Sequence, residues 1–167
     1  MSKSAAALAL VASLMLTATA NAQQVRLLGE HRAWSSYAAN DAGGPVCFAM
    51  TKPESVAPTP DGYSQAYLYL TNRPAENVTT EFSLVAGFSF QPDSVATVNV
   101  GGQVFNLFTQ NDGAWLDDAG QTAALASAIR AGSSMVVEGT TAAGIKVTQN
   151  YSLSGATAAQ QSIGSGC

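Results

Sequence analysis

The sequence predicts a mainly β fold, an antiparallel β-sandwich or open barrel with one or two short covering helices, and three stretches carry that reading. In TTEFSLVAGFSFQP, residues 79–92, apolar Phe82, Leu84, Ala86, Phe88 and Phe90 alternate with Glu81, Ser83, Gly87 and Ser89. That is the period of a strand with one face in a core and one in water. In SVATVNVGGQVFNLF, residues 94–108, Gly101-Gly102 is a two-residue hairpin loop whose turn needs positive φ, which glycine adopts without cost. It sets Val98 opposite Phe105 and Ala96 opposite Leu107. Against these, DDAGQTAALASAIRAG, residues 117–132, has helical spacing, with Leu125 and Ile129 one turn apart.

The remaining elements follow in chain order. MSKSAAALALVASLMLTATANAQQ has a basic Lys3, an apolar run from Ala5 to Leu16 and small residues at Ala20 and Ala22, the pattern of a secretory signal peptide over residues 1–22. The run is shorter than the roughly 20 residues that span a bilayer, so no integral membrane span is expected. Residues 23–167 are then expected to form a single domain. PVCFAMT, SQAYLYLT, SSMVVEG and GIKVTQNYSL read as strands, the last two joined by TTAAG as a second hairpin. The Pro-rich KPESVAPTPDGY reads as an exposed loop, and TNRPAENVTTE as a turn between two strands, with Pro74 stopping the first and Arg73 placed to pair with Glu76 or Glu81. The helix at 117–132 has Asp118 as its N-cap, Gln121 three residues on, Arg130 in its last turn and Gly132 at its exit. SGATAAQQSIGSGC starts a second short helix at Ser154 or Thr157. An outer-membrane barrel is a poor fit, because the alanine-rich helix interrupts the strand series.

Charge and cysteines restrict the function classes. Without Lys3, six basic residues face eleven acidic ones, a net charge of −5 (six minus eleven). No stretch clusters Lys or Arg, which disfavours nucleic acid and anionic lipid as partners. Two cysteines exported to an oxidising compartment have one intramolecular pairing, Cys47 with Cys167. Closing a loop of that length contributes about 4–5 kcal/mol in the chain-entropy model. A redox-active thiol is disfavoured: there is no C-x-x-C, and neither cysteine has a basic neighbour to lower its pKa.

No catalytic set emerges. His31, in LGEHRAW, is the only histidine, and no particular serine or acid is marked as its partner. Its plain reading is a partly satisfied side chain in a leading strand. Asp112, Asp117 and Asp118 bracket Trp115 as a glycosidase pair brackets a sugar, but Asp118 reads better as a cap and Trp115 as a core anchor, alongside Trp34. The acids lack calcium-loop spacing and no His/Cys cluster exists, so no metal site and no cofactor are expected. Asn77-Val78-Thr79 matches a glycosylation sequon, a pattern frequent by chance.

Five segments in order, AWSSYAANDAGGPVCFAMTKP, AYLYLTNRPAENV, FNLFTQNDGAWLDD, AIRAGSSMVVEGTTAAG and YSLSGATAAQQSIGSGC, resemble the invasion-associated locus B family of alphaproteobacterial envelope proteins from about Trp34 to Cys167. Where that family opens its last helix with an aromatic residue, Ala156 stands here. The resemblance implies an exported, mainly β, non-enzymatic protein of the periplasm, the outer envelope or the secreted fraction, acting on an unknown envelope or host protein, with host-cell invasion as one use. It brings no catalytic residues. The competing expectation is a periplasmic small-ligand binder or enzyme with a pocket between sheet and helix.

Overall fold

The computed structural model describes residues 24–167; the expected signal segment lies outside the described residues. The strands are β1 Arg26–His31, β2 Trp34–Asp41, β3 Gly44–Thr51, β4 Ser55–Ala57, β5 Tyr67–Arg73, β6 Val78–Val85, β7 Val95–Val100, β8 Gln103–Gln110, β9 Gly113–Leu116, β10 Ser134–Thr140 and β11 Lys146–Ser152. The helices are α1 Thr122–Ala131 and α2 Ala156–Gly166. All the strands join one sheet in the order β1-β2-β3-β5-β6-β9-β8-β7-β10-β11-β4. Every pairing is antiparallel.

The sheet curls until its far members meet. Residues 52–54 alone separate β3 from β4, yet β4 pairs with β11 at the other end of the order. The Ala33 N–H donates to Ser154 O at 3.2 Å and the Trp34 indole N–H to Ser152 O at 3.0 Å. The outcome is the open-barrel form of the expected mainly β fold. Its inner face collects the alternate residues that the strand period selects, among them Leu68, Leu70, Phe82, Leu84, Phe105, Leu107 and Met135. Leu125 and Ile129 of α1 and Ile163 of α2 complete the same core. No buried side-chain nitrogen or oxygen among the described residues lacks a hydrogen-bond partner.

The hairpin register is the expected one, with Val98 facing Phe105 and Ala96 facing Leu107. Two readings need correction. The strand through TTEFSLVAGFSFQP stops at Val85, because Gly87 turns the chain at φ +78° where a β-carbon would overlap the Ser64 carbonyl. Phe90 still reaches the core, through a bridge to Thr141. The Pro-rich loop is not all loop: Ser55–Ala57 pair with Thr148–Asn150 and cover the outer edge of β11.

Helix entry is also more gradual than expected. Asp118 caps as anticipated, accepting from the Gly120 N–H at 2.8 Å, but it opens a 3₁₀ turn over Ala119–Gln121, and α1 begins only at Thr122. In α2 the small Ala156 is fully buried, so the start of the helix is packed into the core.

Candidate functional site

At one end of the molecule the chemistry-bearing residues are used up in holding α2. Cys47 of β3 and Cys167 are joined, with Cα atoms 5.8 Å apart, and no described cysteine is free. Beside Cys47 in the register lies the buried Asn72 of β5. Its amide donates to Ile163 O of α2 at 3.2 Å, and its Oδ1 accepts from the Thr80 N–H at 2.7 Å. His31 finds a serine after all: its Nε2 lies 2.9 Å from Ser36 Oγ, which in turn lies 2.8 Å from Ser162 Oγ and donates to Gly29 O. Ser36 is fully buried and no carboxylate bonds to His31, so the pair stitches β1, β2 and α2 together and offers no reachable nucleophile.

Of the three acids around Trp115, Asp118 alone has its carboxylate in a hydrogen bond among the described residues. Asp118 caps the 3₁₀ turn, the Asp117 N–H donates to Asn106 O at 3.0 Å, and the Asp112 carbonyl accepts from the Ala86 N–H at 2.8 Å. Among the described residues no three His, Cys, Asp or Glu side chains gather as a metal site would require. Arg73 pairs with both expected partners, Glu81 at 2.7 Å and Glu76 at 3.1 Å. The Glu81 hydrogen bond is the main cause raising the Arg73 pKa, with Glu76 adding to it and partial burial opposing.

Trp115 itself is a correction. It is not a core anchor: only Trp34 is fully buried, at 1% exposure. Trp115 points from the outer face of β9 and is half-buried. Its ring folds over Gly113, where a β-carbon would collide with it, and stacks on the exposed Phe108 with centroids 5.4 Å apart. Spacing alone hid this, since Leu116 beside it is also apolar and only the register decides which of the two faces inward.

Trp115 and Phe108 form one wall of an open groove of ≈ 610 Å³. Val78–Phe82 of β6 line the opposite side, and Ala119, Thr122 and Ala123 close the helix end. The groove exists because β6 pairs with β9 only over Ser83–Val85, against Gly113–Trp115; the earlier half of β6 has no strand on that side. Thr80, in this open half, sits at φ +53°, an uncommon conformation for a β-branched residue.

A second feature escaped the residue-by-residue reading. The outer faces of β2, β3 and β5 carry Tyr37, Phe48, Tyr67 and Tyr69, all half-buried, with Tyr37 stacked on Phe48 at 5.2 Å and Phe48 edge-on to Tyr69 at 6.2 Å. Burial and the neighbouring Tyr67 raise the Tyr69 pKa. The signal was present in PVCFAMT and AYLYLT: apolar residues occupy both faces, and in PVCFAMT the smaller ones, Cys47 and Ala49, point inward.

A curled antiparallel sheet, a last helix fastened by a disulfide and an aromatic outer face define a small cystine-clamped β protein. The chain belongs to the invasion associated locus B (IalB) family, whose model matches residues 34–164. Among solved structures it is similar to the crystal structure of invasion associated protein b from Bartonella henselae, with a TM-score of 0.58 and 16% sequence identity over 81% of this chain and 94% of that one. At that identity the likeness concerns the fold. No curated protein matches significantly.

Proposed function

We propose that the chain is exported and acts without catalysis, by pressing the outer face of its sheet against a protein of the cell envelope or of a host. The observation that carries this reading is the aromatic row Tyr37, Phe48, Tyr67 and Tyr69 on strands whose inner face is already committed to the core. Large amphipathic rings held on a rigid sheet are the side chains that anchor protein interfaces, because they bury much area at little cost in entropy. Export is supported by the apolar run and small-residue site in residues 1–22, and by a disulfide of the kind that persists outside reducing compartments. No helix of the described residues is long and apolar enough to cross a membrane. The family name supports host-cell invasion as one use of the contact.

Immobilised oxidised protein, exposed separately to envelope extract and host surface proteins, is expected to retain a specific partner. The Phe48→Ser/Tyr69→Ser variant should lose it, and the exported form should begin near Gln23 by mass. Undiminished retention by the double variant overturns the contact reading, and an exported form that keeps Met1 overturns the processing.

The groove beside Trp115 favours a second reading, a periplasmic small-ligand binder or enzyme with its pocket between sheet and helix. Its lining contains hydroxyls of Thr79, Thr80 and Thr122 and one carboxylate, Glu81, already engaged by Arg73. With no base beside those hydroxyls, binding is better supported than catalysis.

A further inference from the structure

We propose that the groove between β6 and the start of α1 is a docking slot for an extended, cationic peptide segment of a partner protein, which adds as a strand to the open half of β6 and lays an apolar side chain against Trp115 and Phe108. The proposal rests on the protein-contact reading above and names a different surface from the aromatic row.

Three observations converge on that occupant. The first is backbone chemistry. β9 leaves β6 after Ser83, so Val78–Phe82 line the groove with a strand edge that pairs with no other strand on that side, while the start of α1 packs against β6 at the far end of the groove. An unpaired edge is completed by another extended backbone, and although the left-handed Thr80 bends this one, Glu81 and Phe82 keep their strand pairing to β5 and give an added peptide its starting register. The second is the aromatic wall. Trp115 and Phe108 are cross-strand neighbours, Phe108 is 45% exposed, and the rings stand on the sheet at the side of the open edge. In a strand the side chains alternate, so alternate residues of an added peptide would meet this wall while the others face solvent.

The third is charge. Glu81 is the single charged residue in the lining, and Glu76, Asp117 and Asp118 lie on the adjoining segments. The nearby cation Arg73 is shared between Glu76 and Glu81. Together these five groups carry −3 (one positive minus four negative), on a chain that is itself acidic. A peptide bearing Lys or Arg is therefore drawn in, and an acidic one repelled. A glycan could also stack on Trp115, but it would make no use of the strand edge.

The probe is a capped decapeptide alternating lysine with valine and one phenylalanine, titrated into the oxidised protein. Trp115 emission should change saturably, since Trp34 is buried away from solvent. Amide exchange across Val78–Phe82 should slow, apart from the Thr80 N–H already held by Asn72, and affinity should fall as salt is added. Trp115→Ala should weaken binding at least tenfold. Ala123→Arg, on an exposed helix position, should keep the thermal midpoint of the parent and weaken binding equally by filling and recharging the groove. Absent saturation, unchanged affinity in both variants, equal binding of an aspartate-containing version, or an N-acetylglucosamine oligomer that perturbs Trp115 while β6 stays unprotected would each overturn the proposal. Loss of partner capture by the Phe48→Ser/Tyr69→Ser variant, with peptide binding intact, would separate this groove from the aromatic row.

Discussion

The two tryptophans divide the molecule into a region committed to structure and one left open. Trp34 is sealed in the core with its indole N–H given to Ser152 O, where it locks β2 to the chain leaving β11. Around it Ser36, Asn72 and the Cys47–Cys167 bond have all been spent on α2. Trp115 lies across the sheet with a glycine beneath it, one aromatic beside it and a half-paired strand in front. The same residue type closes the fold at one site and presents a surface at the other. What differs is the strand face, so function is to be sought where the register turns a large ring outward.

The sharpest way to break this comparison is to truncate both rings. Trp34→Ala should cost about 3–5 kcal/mol, from the lost core volume and the carbonyl of Ser152 left without its donor. Trp115→Ala should cost only about 1–2 kcal/mol, since a half-exposed ring loses chiefly its stacking on Phe108. Urea denaturation of the two variants checks this, with emission reporting the ring that remains. Equal losses would mean that Trp115 is a core residue after all and that the groove is closed in solution.

The second test addresses the clamp. Cys167→Ser should destabilise the oxidised protein by several kcal/mol, up to about 4–5 kcal/mol in the chain-entropy model, because the bond encloses 120 residues of chain in the unfolded state. Helix α2 buries only Ile163 among its large apolar side chains, so it depends on the tether more than α1, which buries both Leu125 and Ile129. Hydrogen exchange should therefore quicken in α2 before α1, and reduction of the native protein should reproduce the change. If exchange in α2 were unchanged in the variant, the polar bonds from Asn72 and Ser36 would be sufficient anchors alone.

Most of the sheet was legible because strand burial has a period of two, and the Gly101-Gly102 turn fixes register by itself. The cysteine pairing was legible because only two cysteines exist. The groove was not. It depends on β9 being four residues long and parting from β6 after Ser83, a mismatch between strands that no local pattern records. The left-handed Thr80 was equally hidden, since the side chain that receives its N–H, Asn72, reads as an ordinary polar residue next to a turn. Trp115 was misplaced for the same reason: alternation finds two faces but does not say which one is inside.

The smallest expected effect lies with pH, and it probes the committed region from another side. Tyr151 is buried at 1% exposure, its hydroxyl donating to Gln149 Oε1 at 2.9 Å while the Gln149 amide donates to Ala86 O at 2.8 Å. Burial, with a smaller contribution from Tyr63, pushes its pKa far above the ordinary tyrosine range. The native protein thus keeps the phenolic proton where the unfolded chain, titrating near 10, releases it. Below about pH 10 both states hold the proton and stability is indifferent to this group; above it the unfolded state binds fewer protons, so stability declines as pH rises, by at most about 1.4 kcal/mol per unit. Urea midpoints measured from pH 8 to about 11.5 should stay level and then fall, and Tyr151→Phe should lower the midpoint at pH 8, by leaving Gln149 Oε1 without its donor, while reducing the alkaline slope. An unchanged slope in that variant would transfer the alkaline sensitivity to the outer-face Tyr69, whose pKa is also raised, and would show that the Tyr151 hydroxyl is open to water in a region assigned here to the sealed core.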